Sequence, residues 1–427
     1  MKWVAAVVML ALAATAFLLP EPNQAQHGEN PATEPPPVAI CPIVATANRA
    51  TSVSVLSSVN GEGRLSTFST GEESGALEFR TGDSGAITIQ ATDAGAAGIS
   101  GGLIEMPSDI TAAAVALTGQ GVMAAESCVD IPAGEAFLAG GSTASGAMFE
   151  VQLMNPYAGE AVLDFTVTTD AGIESDDRFD SVVVPALSSY TLDMNQIIPG
   201  RQEISVNIEV TSGSALVVGR QTLNGRVAMW RAVPAAQEWW LPIPAGEGPK
   251  ELLLATPTNS EIEYQIDHFS NTGGLLESYA SGVLPPRGVL RLALSDVTLE
   301  TAAVRVVATG PLVPTLWIDS PTGLALTTAS PLDAPLWLLP GAQAPAGGTG
   351  TVVILNTGLE EISVDVRSLQ ETALTRSVVL PAGAVAEVDL VAADGYRIEA
   401  SGPVVALWSS SLAGQGSVAM GIPVQDG

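Results

Sequence analysis

The stretch Val151-Gln-Leu-Met-Asn155-Pro156 reads as a strand that stops at a turn, and similar stretches follow it up to Trp230. The later ones are the alternating Leu163, Phe165 and Val167, then Val182-Val-Val-Pro185, Tyr190-Thr-Leu-Asp-Met194, and a Ser212-Gly213 turn before Leu216-Val-Val218. Each run has the two-residue period of a half-buried strand. Residues 137–230 therefore predict a compact all-β unit.

The same order of strands and turns recurs along the chain. The matched turns lie at intervals of about a hundred residues, as expected of a repeated structural unit; they are Asn155, Thr256 and Asn356, with closing turns at Gly213, Gly310 and Gly402. A first, diverged copy has Cys41-Pro42 where later copies carry Trp-Leu-Pro or Trp-Leu-Leu-Pro, and Thr118-Gly119 at its closing turn. Each copy would supply about seven strands in roughly 95 residues, the size of an immunoglobulin-like β-sandwich.

The predicted fold is all-β, with four tandem immunoglobulin-like β-sandwich domains after an N-terminal apolar segment. The boundaries are residues 1–20 for a signal peptide or membrane anchor, 21–37 for a disordered proline-rich spacer, and 38–131, 132–236, 237–332 and 333–427 for the sandwiches. A four-bladed β-propeller is the alternative, but seven strands are too many for a blade. Short proline-bearing joins, such as Val233-Pro234, predict a stiff rod of domains.

The motifs resemble a family. Gly141-Ser142-Thr143, the Leu153-to-Pro156 turn and the strand ending at Pro185 are similar to the tandem repeats of bacterial, mainly actinobacterial, secreted and surface proteins of unknown function. This resemblance implies an exported β-sandwich array and no catalytic residues. The first copy departs from the pattern, because cysteine replaces its aromatic opening. Trp317 and Trp408 lie near the place where a pair of an acidic residue and an arginine is common in the family.

The composition excludes some partners. Acidic residues outnumber basic ones 45 to 16, which gives a formal net charge of −29. Such a surface is repelled by phosphate backbones, so we expect no nucleic-acid binding. At the N-terminus, Lys2 precedes an uncharged segment from Trp3 to Leu19, which is either a secretory signal or an uncleaved anchor. Both predict a protein outside the cytoplasm, at the cell surface or in the medium, that contacts membrane only through this segment.

Cys41 and Cys128 are the only cysteines. In an exported protein such a pair indicates a disulfide, and this one would staple the copy with the weakest strand pattern. A metal or redox site would need closer spacing or histidines. We therefore predict no cofactor and no metal site.

Few residues suggest chemistry. His268 follows Asp267, but adjacent strand residues face opposite ways, so we expect a strand-end or loop histidine and no catalytic group. The acidic loop from Asp170 to Asp180 could hold calcium, although its spacing does not match an EF-hand and a solvated hairpin tip is the simpler interpretation. A pair of carboxylates for glycoside hydrolysis would need a cleft that the sequence does not reveal.

The tryptophans are the remaining candidates. Outside the N-terminal segment they cluster at the first and last strands of the copies, where they would seal sandwich ends or domain junctions. The alternative is a stacking platform for sugar rings formed by Trp239, Trp240 or Trp337. Trp239 and Trp240 are neighbours on one predicted strand and so face opposite ways, which would expose one of them.

The sequence thus favours a non-enzymatic, exported cell-envelope scaffold whose partner is an envelope protein or polysaccharide. Two alternatives stay open. One is a carbohydrate-processing hydrolase with a cleft between domains. Exposed aromatic side chains beside paired carboxylates would favour this alternative. The other is an accessory subunit of an envelope complex, which a large exposed apolar patch would favour.

Overall fold

A computed structural model of the protein describes residues 38–424, apart from short gaps. The gaps are residues 46–48, 58–60, 82–84, 97, 107–110, 120–121, 129–133, 247, 274, 295–301, 321–322, 343–347, 370–373, 392–394 and 413–414. Residues 37–427 form one compact unit. The predicted signal or anchor segment and the spacer lie outside the described residues. Within them, no helix has the length and apolar character needed to cross a bilayer.

The described chain is almost entirely β-strand, in four successive repeats. The first repeat contains β1 (Val38–Ala45), β2 (Arg49–Ser57), β3 (Glu62–Phe68), β4 (Glu73–Arg80), β5 (Ala86–Gln90), β6 (Gly98–Glu105), β7 (Thr111–Gly119) and β8 (Val122–Ser127). The second contains β9 (Glu135–Gly141), β10 (Ala147–Asn155), β11 (Ala161–Thr169), β12 (Gly172–Glu174), β13 (Val182–Val184), β14 (Ser188–Asp193), β15 (Ile204–Ser212), β16 (Leu216–Leu223) and β17 (Arg226–Arg231).

The third and fourth repeats join two strand positions into one long strand. The third contains β18 (Ala236–Ile243), β19 (Lys250–Ala255), β20 (Ile262–Phe269), β21 (Leu275–Leu284), β22 (Val289–Ala293), β23 (Ala302–Ser320) and β24 (Gly323–Thr328). The fourth contains β25 (Ala334–Pro340), β26 (Thr349–Asn356), β27 (Ile362–Ser368), β28 (Leu374–Leu380), β29 (Val385–Asp389), β30 (Gly395–Leu412), β31 (Gln415–Met420) and β32 (Ile422–Pro423). Among the described residues, the helices are one turn each, at Ala91–Ala94, Asp177–Phe179 and Met194–Ile197.

All four repeats share one sheet topology. With eight strand positions numbered along each repeat, one sheet joins positions 1, 6, 3 and 4, and the other joins positions 5, 2, 7 and 8. In the last two repeats β23 and β30 supply positions 6 and 7 and so run from one sheet into the other. The predicted all-β sandwich architecture is confirmed. Positions 1 and 2 lie in opposite sheets, whereas strands A and B of an immunoglobulin constant domain share one.

The disulfide predicted from the cysteine count is present. Cys41 lies in β1 and Cys128 directly follows β8, and their sulfur atoms are 2.05 Å apart. Both residues are buried in the core of the first repeat. The bond therefore ties the first strand of this repeat to its last.

The repeats pack on one another, so the expected rod is wrong. Trp317 and Leu253 of the third repeat lie in the core cluster of the second. Phe269 of the third repeat packs with Val353 of the fourth. The position-8 strands β8, β17, β24 and β31 meet in a closed circuit, each contacting the next and β31 contacting β8. The four repeats form a ring because the outer faces of their sheets are apolar as well as the inner faces.

The ring closes between the fourth repeat and the first. Leu338 of β25 packs with Leu56, Ala86 and Ala112 in one buried cluster, which Ile422 also contacts. Nearby, the Ser127 hydroxyl donates a hydrogen bond of 2.8 Å to the Met420 carbonyl oxygen. Ring closure thus rests on side chains that are about 300 residues apart in the sequence and that bury apolar surface together.

Position 2 of each later repeat is buried on both faces. In β19, Leu252, Leu253 and Leu254 are all 0% exposed, and β26 shows the same burial over residues 352–355. The expectation of half-buried strands is therefore wrong for these elements. Their continuous apolar runs are typical of strands covered on both sides. One face lies against the opposite sheet of the same repeat and the other against the preceding repeat.

Candidate ligand-binding clefts

A cleft of about 590 Å³ lies between the second and third repeats. It is lined by Ser142, Ala144, Ser145, Ala147, Gln202, Glu203 and Leu223 of the second repeat and by Pro249, Glu251, Arg291, Trp317 and Asp319 of the third. We call it the Arg291 cleft. It combines small hydroxyl side chains, three carboxylates, a guanidinium and an indole, whereas the rest of the described chain is poor in charge.

Arg291 organises this cleft. Its Nη1 donates to Glu251 Oε2 at 2.6 Å, and its Nε lies 3.6 Å from Glu203 Oε1. Its guanidinium carbon is 4.7 Å from the centre of the Trp317 ring, in cation–π geometry. All three charged side chains are less than one third exposed. Arg291 therefore joins two carboxylates from different repeats over an aromatic base.

The strands place these groups by alternation. Glu251 on β19 pairs with Trp317 on β23 in the sheet register, and Leu253 pairs with Arg291 on β22. Residues two apart on a strand face the same side, so Glu251, Arg291 and Trp317 point together out of the sheet. Glu203 reaches them from the start of β15 in the second repeat.

Burial raises the pKa of Glu203 above its ordinary value. The nearby Arg291 opposes this effect, whereas the carboxylates of Asp170 and Glu251 add to it. A second ion pair closes the rim, since Arg226 Nη1 is 2.5 Å from Asp319 Oδ1 and also donates to the Ser320 carbonyl oxygen. The site is thus a polar cleft with a net excess of carboxylate.

The arrangement suits a ligand with many hydroxyl groups. Carboxylates accept hydrogen bonds, the guanidinium donates them, and serine hydroxyls and the Gln202 amide do both. A few converging polar groups on a partly apolar wall are typical of small-molecule sites. Phosphate-rich ligands are disfavoured because three carboxylates line the cleft.

Two of the three predicted tryptophans have no free face. Trp239 and Trp337 are 0% exposed. Their Nε1 atoms donate 2.8 Å hydrogen bonds to the carbonyl oxygens of Leu312 and Val404 respectively. These indoles are anchors of the sandwich core, and the structure offers no sugar ring access to them.

Trp240 is half-buried where the third repeat meets the fourth. Its ring centre is 5.8 Å from that of Phe269, and the Arg305 guanidinium lies 5.1 Å above the ring. Arg305 in turn contacts Glu238 at 2.8 Å. As predicted, Trp239 and Trp240 face opposite ways, but Trp240 seals a junction between repeats.

Of the other sequence candidates, only the acidic loop touches the Arg291 cleft, where Asp170 Oδ1 accepts a hydrogen bond of 3.2 Å from the Gln202 amide. His268 is near the end of β20, edge-on to Tyr279 with ring centres 6.4 Å apart. In the acidic loop, Asp176 pairs with Arg178 at 2.7 Å and Glu174 pairs with Arg201 at 2.6 Å. Among the described residues no three acidic, histidine or cysteine side chains cluster as metal ligands.

Sequence reasoning missed Arg291, Glu203 and Glu251. They come from two repeats, and nothing in a single strand pattern brings them together. The available signal was Val289-Leu-Arg-Leu292, where an arginine interrupts an apolar strand in a chain with only 14% charged residues. A charge on such a strand needs a partner when neighbouring sheets cover it.

Comparison with known proteins gives one family match. A family of unknown function, DUF5719, matches residues 81–229, about a third of the chain, across the end of the first repeat and most of the second. No curated protein matches. The match agrees with the expected likeness to proteins of unknown function. It does not bear on an actinobacterial source or on tandem repeats.

Solved structures are similar only in part. The crystal structure of Thermotoga maritima 1070 is 15% identical to this chain, with 22% of this chain and 94% of the other covered and a TM-score of 0.20. The major pilin from Streptococcus pyogenes is 8% identical over 68% of this chain and 98% of its own, with a TM-score of 0.15. A tetra-tandem repeat from the extending region of a large adhesion protein is 12% identical over 90% and 97%, with a TM-score of 0.12.

Proposed function

We propose that the protein is an exported, non-enzymatic binding scaffold whose ring of β-sandwiches holds a saccharide of the cell envelope. The N-terminal apolar segment and the disulfide support export. The ring supports a scaffold because every repeat is fixed by two neighbours. The protein would act at the cell surface or outside it, tethered if residues 3–19 are retained.

One observation carries the ligand assignment. The Arg291 cleft places a guanidinium between Glu203 and Glu251 and over Trp317, with hydroxyl side chains on the facing wall. These groups are already oriented by ion pairs, so a ligand would meet a preformed site. Hydroxyl groups of a sugar match this mixture of donors and acceptors.

The test is retention of residues 37–427 on envelope fractions, with polysaccharide and protein immobilised separately. We expect retention on polysaccharide, and we expect the Glu251→Gln variant to weaken it roughly tenfold through loss of a charge-assisted contact. Arg80→Gln, which changes a side chain that is 68% exposed on the first repeat, is the matched control. Retention on protein alone would contradict the saccharide assignment and favour the accessory subunit.

A hydrolase is the second candidate, and one feature favours it. Glu203 and Glu251 share one guanidinium in a cleft, and burial raises the pKa of Glu203, as a general acid for glycoside cleavage requires. The Glu203→Gln variant separates the two functions. A scaffold releases no reducing sugar from bound polysaccharide with either form, whereas a hydrolase releases it with the parent protein and loses that activity in the variant.

A further inference from the structure

A second cleft, of about 180 Å³, lies between the third and fourth repeats. Serine is the commonest residue type in its lining, with Ser409, Ser410 and Ser417 among the serines. Lys250 also lines it and is 2% exposed. The only other lysine of the chain is Lys2, so this buried ammonium group is a distinctive feature. We call the space the Lys250 cleft.

The two clefts lie on opposite faces of the same pair of strands. Successive residues along β19 and β23 line the two clefts in alternation. The Arg291 cleft is lined by Glu251, Trp317 and Asp319, and by Pro249, which precedes β19. The Lys250 cleft is lined by Lys250, Ile318 and Ser320. Both sets of lining residues include residues at the end of these strands where Lys250 pairs with Ile318. A ligand that passes over this end would contact both clefts.

One side chain in the Lys250 cleft is poised for a ligand. Ser417 is 3% exposed, and its Oγ has no hydrogen-bond partner within the part of the chain that the structure describes. A buried hydroxyl without a partner costs free energy in the folded protein. A ligand hydroxyl in the cleft would satisfy it.

The charges of the cleft indicate a neutral ligand group. Burial lowers the pKa of Lys250, and the carboxylate of Glu387, the third residue of β29, opposes this effect. The Glu387 carboxylate also accepts a long hydrogen bond of 3.4 Å from the amide of Ala245, a residue that lines the cleft. One cation and one anion leave no net charge, so an anion gains little there, whereas hydroxyl groups can bond to both.

We infer that the Lys250 cleft is a second subsite for a hydroxyl-rich group, and that a saccharide spans it and the Arg291 cleft over the end of β19 and β23. This inference rests on the proposed function, because it assumes that the Arg291 cleft holds a saccharide. The smaller volume suits one sugar unit, and the larger cleft suits the rest of the chain. The specificity of the protein would then depend on oligosaccharide length.

The experiment is calorimetric titration of residues 37–427 with hexamers of β-1,4-linked N-acetylglucosamine, α-1,6-linked mannose and α-1,4-linked glucose, and with their monosaccharides. We expect one hexamer to bind, and Lys250→Met and Ser417→Ala each to weaken it roughly five- to tenfold, the worth of one hydrogen bond. Ser417→Ala should not lower the unfolding midpoint in urea, because it removes a buried hydroxyl that has no partner among the described residues. Ser281→Ala, at an exposed serine of β21, is the matched control.

The outcomes separate the two proposals. The second subsite would be overturned, and the first kept, if Glu251→Gln weakens binding of the hexamer while Lys250→Met and Ser417→Ala leave it unchanged. Equal affinity for monosaccharide and hexamer would also overturn it. Loss of stability in Ser417→Ala would assign that hydroxyl a structural role. Binding of inorganic phosphate that Lys250→Met abolishes would replace the sugar subsite by an anion site, and no binding of any saccharide would overturn both proposals.

Discussion

Asn155 and Asn356 hold the same turn in two different repeats. The Nδ2 of Asn155 donates to the carbonyl oxygens of Gly159, Val184 and Pro185. The Nδ2 of Asn356 donates to those of Glu360, Leu380 and Pro381, at 2.7–3.1 Å. Both side chains are 0% exposed. One buried amide thus satisfies three backbone acceptors and fixes the turn between positions 2 and 3.

Replacing Asn356 by alanine should destabilise the protein by about 2–4 kcal/mol, because one buried and two partly buried carbonyl groups lose their donor. Urea unfolding followed by tryptophan fluorescence measures the change. Asn259→Ala alters an exposed asparagine and should shift the free energy of unfolding by less than about 0.5 kcal/mol. Equal effects of the two variants would show that the buried amide has no special role.

Removing the disulfide should destabilise the first repeat. The bond closes a loop with a sequence separation of 87 residues. In the chain-entropy model such a loop contributes roughly 4–5 kcal/mol by restricting the unfolded state. The Cys41→Ser, Cys128→Ser double variant should therefore have a clearly lower midpoint in urea. An unchanged midpoint would mean that ring contacts alone hold the first repeat.

Glu126 lies on β8, buried within the circuit of position-8 strands. Its carboxylate accepts hydrogen bonds from the backbone amides of Ser127 at 2.8 Å and Arg231 at 3.1 Å. Burial raises its pKa from 4.5 to about 7, and the charge of Arg231 and the two amide bonds oppose the rise only in part. The folded protein therefore keeps a proton on Glu126 at pH values where the unfolded chain has lost it.

This difference predicts a fall in stability as pH rises. Between pH 4.5 and about 7 the folded state binds more protons at Glu126 than the unfolded state, so its contribution to the free energy of unfolding should decrease by about 3 kcal/mol over that interval. Urea unfolding at pH 5 and pH 7.5 measures it. Glu126→Gln should flatten the dependence, whereas Glu135→Gln, at an exposed position, should leave it unchanged. An identical slope in both variants would contradict the assignment.

Short-range signals in the sequence predicted the strands, the matched turns and the disulfide. Each depends on neighbouring residues, on a period or on a residue count, as at Asn155, Asn356 and the pair Cys41–Cys128. The similar pairs Leu316-Trp317 and Leu407-Trp408 suggested equivalent positions for the two tryptophans, and this was misleading. In the sheet register Trp317 lies opposite Glu251, whereas Trp408 lies opposite Val352. A shift of one residue turns the first indole toward the preceding repeat and the second into its own core.

The ring and the clefts depend on surfaces far apart in the sequence. Leu338 lies on a strand whose pattern is as compatible with an isolated sandwich as with a ring. The run Leu252-Leu-Leu-Ala255 did carry information, since all four residues are apolar and a half-buried strand would alternate. The run indicated that both faces of this strand are covered, but it did not indicate which surface covers the second face. Glu203 and Arg291 meet only because that surface belongs to the adjacent repeat.

Ring closure should be sensitive to Leu338, which is 5% exposed in the cluster between the fourth and first repeats. Leu338→Ala should lower the free energy of unfolding by about 2–4 kcal/mol through loss of buried apolar contacts. Val379→Ala, at a 62% exposed position of β28, is the control and should have little effect. Similar stabilities for both variants would show that Leu338 is not buried against the first repeat in solution.

Small-angle X-ray scattering of residues 37–427 tests most directly whether the four repeats close into a ring, on which both clefts depend. A compact chain of this length has a radius of gyration of about 21 Å. The closed ring predicts a value near this and a single-peaked distance distribution. A clearly larger radius, with the extended tail of a rod, would contradict the ring and remove the clefts with it.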